Sequence, residues 1–130
     1  MSNIPADLRY TREHEWARRE GDQVRVGITH FAQEQLGDVV FVELPKLGTR
    51  VTAHRTFGVV ESVKAVSDLF APISGEIVEH NTELGDAPQL VNQDPYGRGW
   101  MIVVTPSSPG DWDELLTAQQ YEQFLAEAAH

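Results

Sequence analysis

Short apolar runs, each closed by glycine, proline or acidic residues, recur along the chain and predict strands rather than long helices. The earliest pair of runs flanks Glu20-Gly21-Asp22, where the glycine supplies the positive φ that a tight hairpin needs. We expect the runs in the middle of the chain to form a β meander. The predicted strands are Trp16–Arg19, Gln23–Ile28, Asp38–Leu44, Thr56–Val63, Ser67–Pro72, Gly75–His80 and Trp100–Thr105.

Two segments have helical features. Thr29 can cap a helix of about two turns over His30–Leu36, and Gly37 stands where glycine commonly ends a helix. Asn81–Gly99 is polar and rich in turn residues. The segment 112–129 is amphipathic and should cover one open side of the sheets. Its apolar residues at helical spacing are Trp112, Leu115, Leu116, Ala118, Tyr121, Phe124, Leu125 and Ala128.

This pattern predicts a mainly β fold, a small antiparallel β-sandwich or flattened barrel with one short helix in its N-terminal half and helices at its C-terminus. A chain of 130 residues is the size of one domain, so we expect a single domain over 1–130. Two paired sheets make a stiff scaffold, which holds a hairpin tip where another protein can reach it.

Charge and composition narrow the function classes. The formal net charge of −10 repels phosphate backbones and anionic lipids, so we expect neither nucleic acid nor membrane as a partner. The sequence has no cysteine, which excludes disulfides, thiolate nucleophiles and cysteine-based zinc sites. Because the first residues lack the features of a secretory signal or transit peptide, we expect a protein of the bacterial cytoplasm.

Lys64 is the residue whose surroundings carry most information. It is one of two lysines in the chain and lies between two predicted strands. One interpretation is an ordinary solvated turn lysine. However, its neighbours Val63, Ala65 and Val66 are not turn formers, and the tip lacks the Asn-Gly or Asp-Gly pair of a tight hairpin. The pattern favours a second interpretation, a handle for a covalently attached cofactor.

The segment from Glu61 to Gly75, ESVKAVSDLFAPISG, closely resembles the lipoyl-attachment segment of the glycine cleavage system H proteins, in which the modified lysine corresponds to Lys64. Lipoyl domains of 2-oxoacid dehydrogenases usually carry Asp-Lys-Ala at this tip, and biotin carriers Met-Lys-Met. The resemblance covers nearly the whole chain. Its further landmarks are His14-Glu15-Trp16, Gly27-Ile28-Thr29, Ala32-Gln33, Leu36 to Val42, Asn92 to Gly97 and Gly99-Trp100.

The resemblance implies a carrier rather than an enzyme, with lipoate joined by an amide to Lys64 in a lipoyl hairpin of about 56–80. It implies three enzyme partners: glycine decarboxylase (P protein), aminomethyltransferase (T protein) and dihydrolipoyl dehydrogenase (L protein). A lipoate-attaching enzyme is a fourth partner, and the carrier should be a monomer. The lysine and lipoyl chain together would reach on the order of 14 Å from the backbone. An alternative is a lipoate-relay or scaffold protein that donates lipoyl groups to other enzymes.

Residues around Lys64 give the expected recognition context for attachment, although acidic neighbours can simply solvate the tip. These residues are Glu61, Ser62, Val63, Ala65 and Asp68. Glu15 and His14 are candidates for docking the lipoyl arm, with Glu15 holding an ammonium group; a structural or solvated Glu15 is the competing interpretation. The five histidines form no i,i+4 pair, so we expect no metal site.

Overall fold

A computed structural model of the protein describes residues 4–128, and for Ala128 the backbone only. Antiparallel strands dominate it, which confirms the predicted fold class. The strands are β1 Arg9–Tyr10, β2 Glu15–Glu20, β3 Gln23–Ile28, β4 Val39–Glu43, β5 Arg50–Val51, β6 Thr56–Ser62, β7 Val66–Phe70, β8 Gly75–His80 and β9 Ile102–Pro106. The helices are α1 His30–Leu36, α2 Glu83–Asp86, α3 Leu90–Gln93, α4 Gly110–Glu114 and α5 Ala118–Ala128.

The strands form two sheets that pack face to face. One sheet has six strands in the order β1-β2-β3-β9-β8-β5, and the other has three in the order β4-β6-β7. The main core lies between them and contains Val26, Ile77, Ile102 and Val104 of the larger sheet and Val60 and Leu69 of the smaller one. Because these side chains are buried between the sheets, the β6-β7 hairpin, whose turn contains Lys64, is packed firmly against the larger sheet.

A second core lies on the opposite face of the larger sheet, under α5. Side chains alternate between faces along a strand, so Trp16 points away from the main core that buries its neighbour Ala17. Trp16 packs there with Tyr10, Tyr121 and Leu116. The C-terminal helix therefore covers one side of the larger sheet, as the amphipathic pattern predicts.

The first helix forms as its sequence predicts. The Thr29 hydroxyl accepts a hydrogen bond from the backbone N–H of Ala32, at 3.2 Å, which satisfies one of the free donors at the helix start. Gly37 ends the helix with a φ of 79°, a backbone conformation that glycine adopts without strain. The hairpin of β2 and β3 around Glu20-Gly21-Asp22 is also confirmed, with Gly21 at a φ of 65°.

The predicted meander is wrong at β8. This strand does not pair with β7; it crosses to the larger sheet and lies between β5 and β9. Pro72 follows β7 and has no N–H to extend a ladder, so the chain leaves the smaller sheet there. A Cβ on Gly75 would lie 2.1 Å from the Thr105 carbonyl oxygen, which shows how closely β8 approaches β9. The hairpin that carries Lys64 is thus β6 and β7 alone, shorter than the predicted 56–80.

Two other segments differ from the prediction. The polar stretch Asn81–Gly99 contains the single-turn helices α2 and α3, which bury Leu84, Leu90 and Val91 in the main core. The cap predicted over 112–129 is two helices, α4 and α5, separated where Leu116 pairs with Tyr10 in an isolated β-bridge; residue 129 lies outside the described part. Across residues 4–128, none of the helices has the length and apolar character needed to cross a membrane.

Candidate functional site

Lys64 lies at the tip of the β6-β7 hairpin and is exposed. The tip is a four-residue turn closed by a hydrogen bond from the Ser62 backbone N–H to the Ala65 carbonyl oxygen, 2.8 Å long. Within residues 4–128 the Lys64 ammonium group has neither a hydrogen-bond acceptor nor an ion-pair partner. The amine that the sequence singles out is therefore available to an enzyme from outside.

The Ser62 side chain stabilises this turn. Its buried hydroxyl accepts hydrogen bonds from the backbone N–H groups of Lys64 and Ala65, at 3.2 and 3.1 Å. The four residues of the tip have no positive φ, so the turn does not need the Asn-Gly pair of a tight hairpin. A serine that bonds to the next backbone amides is a known turn former, and this explains how apolar residues can follow it here.

A second layer supports the tip from the end of α1. The backbone N–H of Val63 donates to the Asp38 carbonyl oxygen at 3.0 Å, and a Cβ on Gly37 would lie 3.6 Å from Cε of Lys64. Asn92 fixes this segment: its amide donates to the Gly37 carbonyl oxygen, and its side-chain oxygen accepts from the Val39 N–H, both at 2.8 Å. Sequence reasoning gave Asn92 no role, because its partners are more than fifty residues away.

Exposed apolar side chains surround Lys64. In the described chain, four of the five large apolar side chains classed as exposed lie at the tip or beside it: Val40, Phe41, Val63 and Val66. Phe41, Glu61 and Val66 are direct cross-strand neighbours on the outer face of the smaller sheet. Glu61 lies on this outer face and does not line the cleft described next, whereas Val66 and Asp68 lie at the edge that the outer face shares with the cleft.

A cleft of about 450 Å³ opens beside the tip, between the smaller sheet, α1 and the turn before β2. Its lining includes Ala65, Val66 and Asp68 from the hairpin, Phe31 from α1, and His14 and Glu15. The structure thus brings both candidate arm-docking residues and Asp68 to one cavity next to Lys64. Their role in docking stays a prediction.

Glu15 is buried, with 1% of its surface exposed, and its carboxyl group joins three parts of the chain. Oε1 accepts a 2.6 Å hydrogen bond from the Thr11 hydroxyl, and Oε2 accepts a 3.2 Å bond from the Phe70 N–H on β7. Burial raises the pKa of Glu15 to about 8, against its ordinary value of 4.5, although these hydrogen bonds favour the ionised form. Glu15 therefore has a structural role and also lines the cleft.

His14 reaches the cleft from a strained turn. Its φ of 72° lies in the left-handed region, which histidine adopts more readily than most residues. The ring lies 4.6 Å from the Phe31 ring, and Nδ1 is 2.8 Å from the Tyr121 hydroxyl on α5. Burial lowers the pKa of His14, so the imidazole is neutral at physiological pH.

The arrangement fits a swinging acyl-lysine arm. An exposed amine can be acylated, and a neighbouring cleft with apolar walls and carboxyl groups suits a hydrocarbon chain that ends in a polar group. Within residues 4–128, no three side chains of His, Asp or Glu come together as ligands for a metal ion.

Comparisons with known proteins give the family. Residues 8–128 match the family model described as glycine cleavage H-protein. The chain is 59% identical to the glycine cleavage system H protein of Geobacillus sp. (strain WCH70), over 96% of this chain and 98% of the relative. It is 60% identical to that of Anaeromyxobacter sp. (strain K), over 95% of this chain and 97% of the relative.

A solved structure agrees with the sequence comparison. The crystal structure of a glycine cleavage system H protein from Mycobacterium marinum superimposes with a TM-score of 0.85 at 47% identity, covering 98% of this chain and all of that one. The family predicted from the segment around Lys64 is thereby confirmed. The chain belongs to the glycine cleavage H-protein family.

Proposed function

We propose that this protein is the lipoylated carrier of the glycine cleavage system, with lipoate joined by an amide to Lys64. The observation that carries the proposal is an exposed lysine amine, without an internal partner in the described chain, at the tip of a hairpin packed on the main core. Family membership supports it, because the attachment segment lies within the matched residues 8–128. The protein acts as a carrier, and the chemistry belongs to its cofactor and its partner enzymes.

When bound to Lys64, the lipoyl group would supply a disulfide that is reduced as it accepts the aminomethyl group at glycine decarboxylase, and the dithiol left after aminomethyltransferase removes that group would return two electrons to dihydrolipoyl dehydrogenase and close to the disulfide again. The chain's own residues position the arm. Ser62 and the Asp38 carbonyl oxygen hold the tip in one conformation, so that the arm starts from a fixed point. Attachment to one point raises the effective concentration of the arm at each docked enzyme.

The cleft beside the tip is the resting site that we propose for the arm. Phe31 and Leu69 offer apolar contacts to a hydrocarbon chain, and Glu15 and Asp68 offer carboxyl groups to an amine at its end. A cleft that shields the arm from water would slow hydrolysis of its cargo.

The outer face around Lys64 is the surface that we propose meets the enzymes. Phe41 and Val66 present apolar surface, and Glu61, Glu43 and Asp68 surround them with negative charge. A complementary enzyme surface has an apolar seat with lysine or arginine at its rim. Residues Glu61, Ser62, Val63, Ala65 and Asp68 would likewise be read by the lipoate-attaching enzyme. We further propose that residues 1–130 work as one monomeric domain in the bacterial cytoplasm.

Intact-mass measurement tests attachment. We expect the chain, expressed in a lipoate-supplied host, to gain the mass of one lipoyl amide, and we expect Lys64→Arg to lose that gain. Lys46→Arg removes the only other lysine and should keep it. A gain that survives Lys64→Arg, or an unmodified parent chain, would contradict the proposal.

Reconstitution separates the carrier from a lipoate relay. With purified glycine decarboxylase and glycine labelled at carbon 2, the modified chain should acquire the label on its arm. A modified chain that remains unlabelled while it donates lipoyl groups to other proteins would establish the relay instead.

A further inference from the structure

A hydrogen-bonded chain runs from the C-terminal helix to the cleft. The Tyr121 hydroxyl lies 2.8 Å from Nδ1 of His14 and 2.9 Å from the Thr29 hydroxyl. Tyr121 and Thr29 are both fully buried, and His14 lines the cleft. The backbone N–H of Thr29 also donates to the His14 carbonyl oxygen at 3.0 Å, which keeps the two residues side by side.

The direction of these hydrogen bonds, from donor to acceptor, follows from the Thr29 hydroxyl. Thr29 Oγ1 already accepts from the Ala32 N–H, and the Tyr121 oxygen is its only hydrogen-bond acceptor in the described part of the molecule. A buried hydroxyl that donates to nothing costs about 1–3 kcal/mol, so Thr29 donates to Tyr121. Tyr121 then has its own proton to give, and it donates that proton to Nδ1 of His14.

The protonation states of both rings agree with this direction. Burial raises the pKa of Tyr121, so its hydroxyl keeps its proton and remains a donor. Nδ1 of His14 accepts a proton in the hydrogen bond and cannot carry one of its own. In a neutral imidazole the proton must then be on Nε2.

We propose that Tyr121 is a positioning residue, which fixes His14 as the Nε2–H tautomer and so makes it a hydrogen-bond donor toward the cleft. Nε2 is the one ring nitrogen of His14 without a partner among residues 4–128. If the cleft holds the lipoyl arm, as the proposed function requires, His14 donates a hydrogen bond to an acceptor atom of the arm, its amide oxygen or a sulfur. It does not bind the ammonium end, which the carboxyl groups of Glu15 and Asp68 would bind.

The assignment divides the cleft chemically. Glu15 and Asp68 supply carboxyl groups, and His14 supplies an N–H. A His14 fixed as a donor also lacks the free lone pair with which an imidazole acts as a general base on water. The C-terminal helix, whose Tyr121 hydroxyl bonds to His14, would thereby protect the cargo as well as cover the sheet.

Nitrogen NMR of the imidazole rings tests the tautomer directly. Long-range proton–nitrogen spectra of the unmodified chain, labelled with ¹⁵N histidine at pH 8, distinguish a protonated Nε2 from a protonated Nδ1. His14 is assigned by the signals that disappear in His14→Gln. We expect Nε2–H in the parent, and in Tyr121→Phe a displaced Nδ1 resonance together with a detectable Nδ1–H form.

Tyr10→Phe is the matched control. Tyr10 stacks on Tyr121 with ring centroids 4.7 Å apart, but its hydroxyl donates to the Pro5 carbonyl oxygen and does not touch His14. Tyr10→Phe should therefore leave the His14 signals unchanged. A parent with Nδ1–H, or a His14 spectrum that is identical in Tyr121→Phe, would overturn the inference. Since the spectra are recorded without lipoate, absence of attachment at Lys64 would refute the proposed function and leave this result standing.

Discussion

Replacing the buried carboxyl group of Glu15 by an amide should change how the stability of the protein depends on pH. Glu15 forms no ion pair in the described structure, and its oxygens accept hydrogen bonds from Thr11 and Phe70. In Glu15→Gln, the amide oxygen can accept from the Phe70 N–H while the amide nitrogen donates to the Thr11 hydroxyl. The variant therefore imitates the protonated form of Glu15 at every pH.

The sign of this pH dependence follows from whether the folded or the unfolded state binds the Glu15 proton more tightly. Burial raises the pKa of Glu15 to about 8 in the folded state, whereas the unfolded chain releases the proton near 4.5. Between these values the folded state binds more protons than the unfolded state, so the free energy of unfolding falls as pH rises. The loss of stability caused by ionising Glu15 in the folded state is absent below pH 4.5, grows up to about pH 8 and is constant above it. From pH 6 to pH 9 it grows by on the order of 3 kcal/mol.

Urea unfolding of the two proteins at both pH values measures this difference. The free energy of unfolding of Glu15→Gln minus that of the parent should grow by on the order of 3 kcal/mol between pH 6 and pH 9. With slopes of about 1–3 kcal/mol per molar, this corresponds to a relative midpoint shift of about 1 M or more. Other titrating groups contribute equally to both proteins and cancel in the difference.

Glu76→Gln is the control, since Glu76 is an exposed acidic residue on β8 and is not among the groups that shift the pKa of Glu15. Its stability relative to the parent should change little between the two pH values. A difference for Glu15→Gln that is flat with pH, or that shrinks as pH rises, would refute the reasoning, because it would mean that folding does not hold the Glu15 proton.

Two further substitutions test the tip and the second core. Ser62→Ala removes the hydroxyl that accepts hydrogen bonds from the backbone N–H groups of Lys64 and Ala65. We expect the free energy of unfolding to fall by about 1 kcal/mol and amide hydrogen exchange to become faster at the tip alone. Exchange rates at the tip equal to those of the parent would contradict the role of Ser62. Gly27→Ala places a Cβ 2.7 Å from the Trp16 indole; we expect a loss of about 1–3 kcal/mol in chemical denaturation with altered tryptophan fluorescence, and a parent-like midpoint would show that the indole moves freely.

Local signals in the sequence predicted the elements that local chemistry determines. Thr29 and Gly37 bound α1 because a hydroxyl acceptor and a residue tolerant of positive φ act within one turn of the backbone. The hairpin at Gly21 depends in the same way on its own turn. The lysine at the tip was found from its neighbours, and its exposure follows from its place between two strands that pair directly.

Features that depend on distant partners could not be read from the sequence. The crossing of β8 into the larger sheet is decided by its pairing with β9, more than twenty residues later. The short helices α2 and α3 have weak local patterns, and packing of Leu84, Leu90 and Val91 into the core stabilises them. Asn92 was part of a family landmark, but its support of the tip depends on Gly37 and Val39, which only the fold brings near.

The cleft is the place where the chain departs from ordinary sequence rules, and the departures have one physical consequence. A buried carboxyl group at Glu15 and a left-handed histidine at His14 each cost stability, and they occur in consecutive residues beside the lysine. A cation brought within about 4–6 Å of Glu15 would favour its ionised form and release its proton. A neutral guest would gain nothing from that ionisation. On the proposed function, the ionised Glu15 would therefore attract an arm that ends in an ammonium group and would give a neutral arm no such attraction.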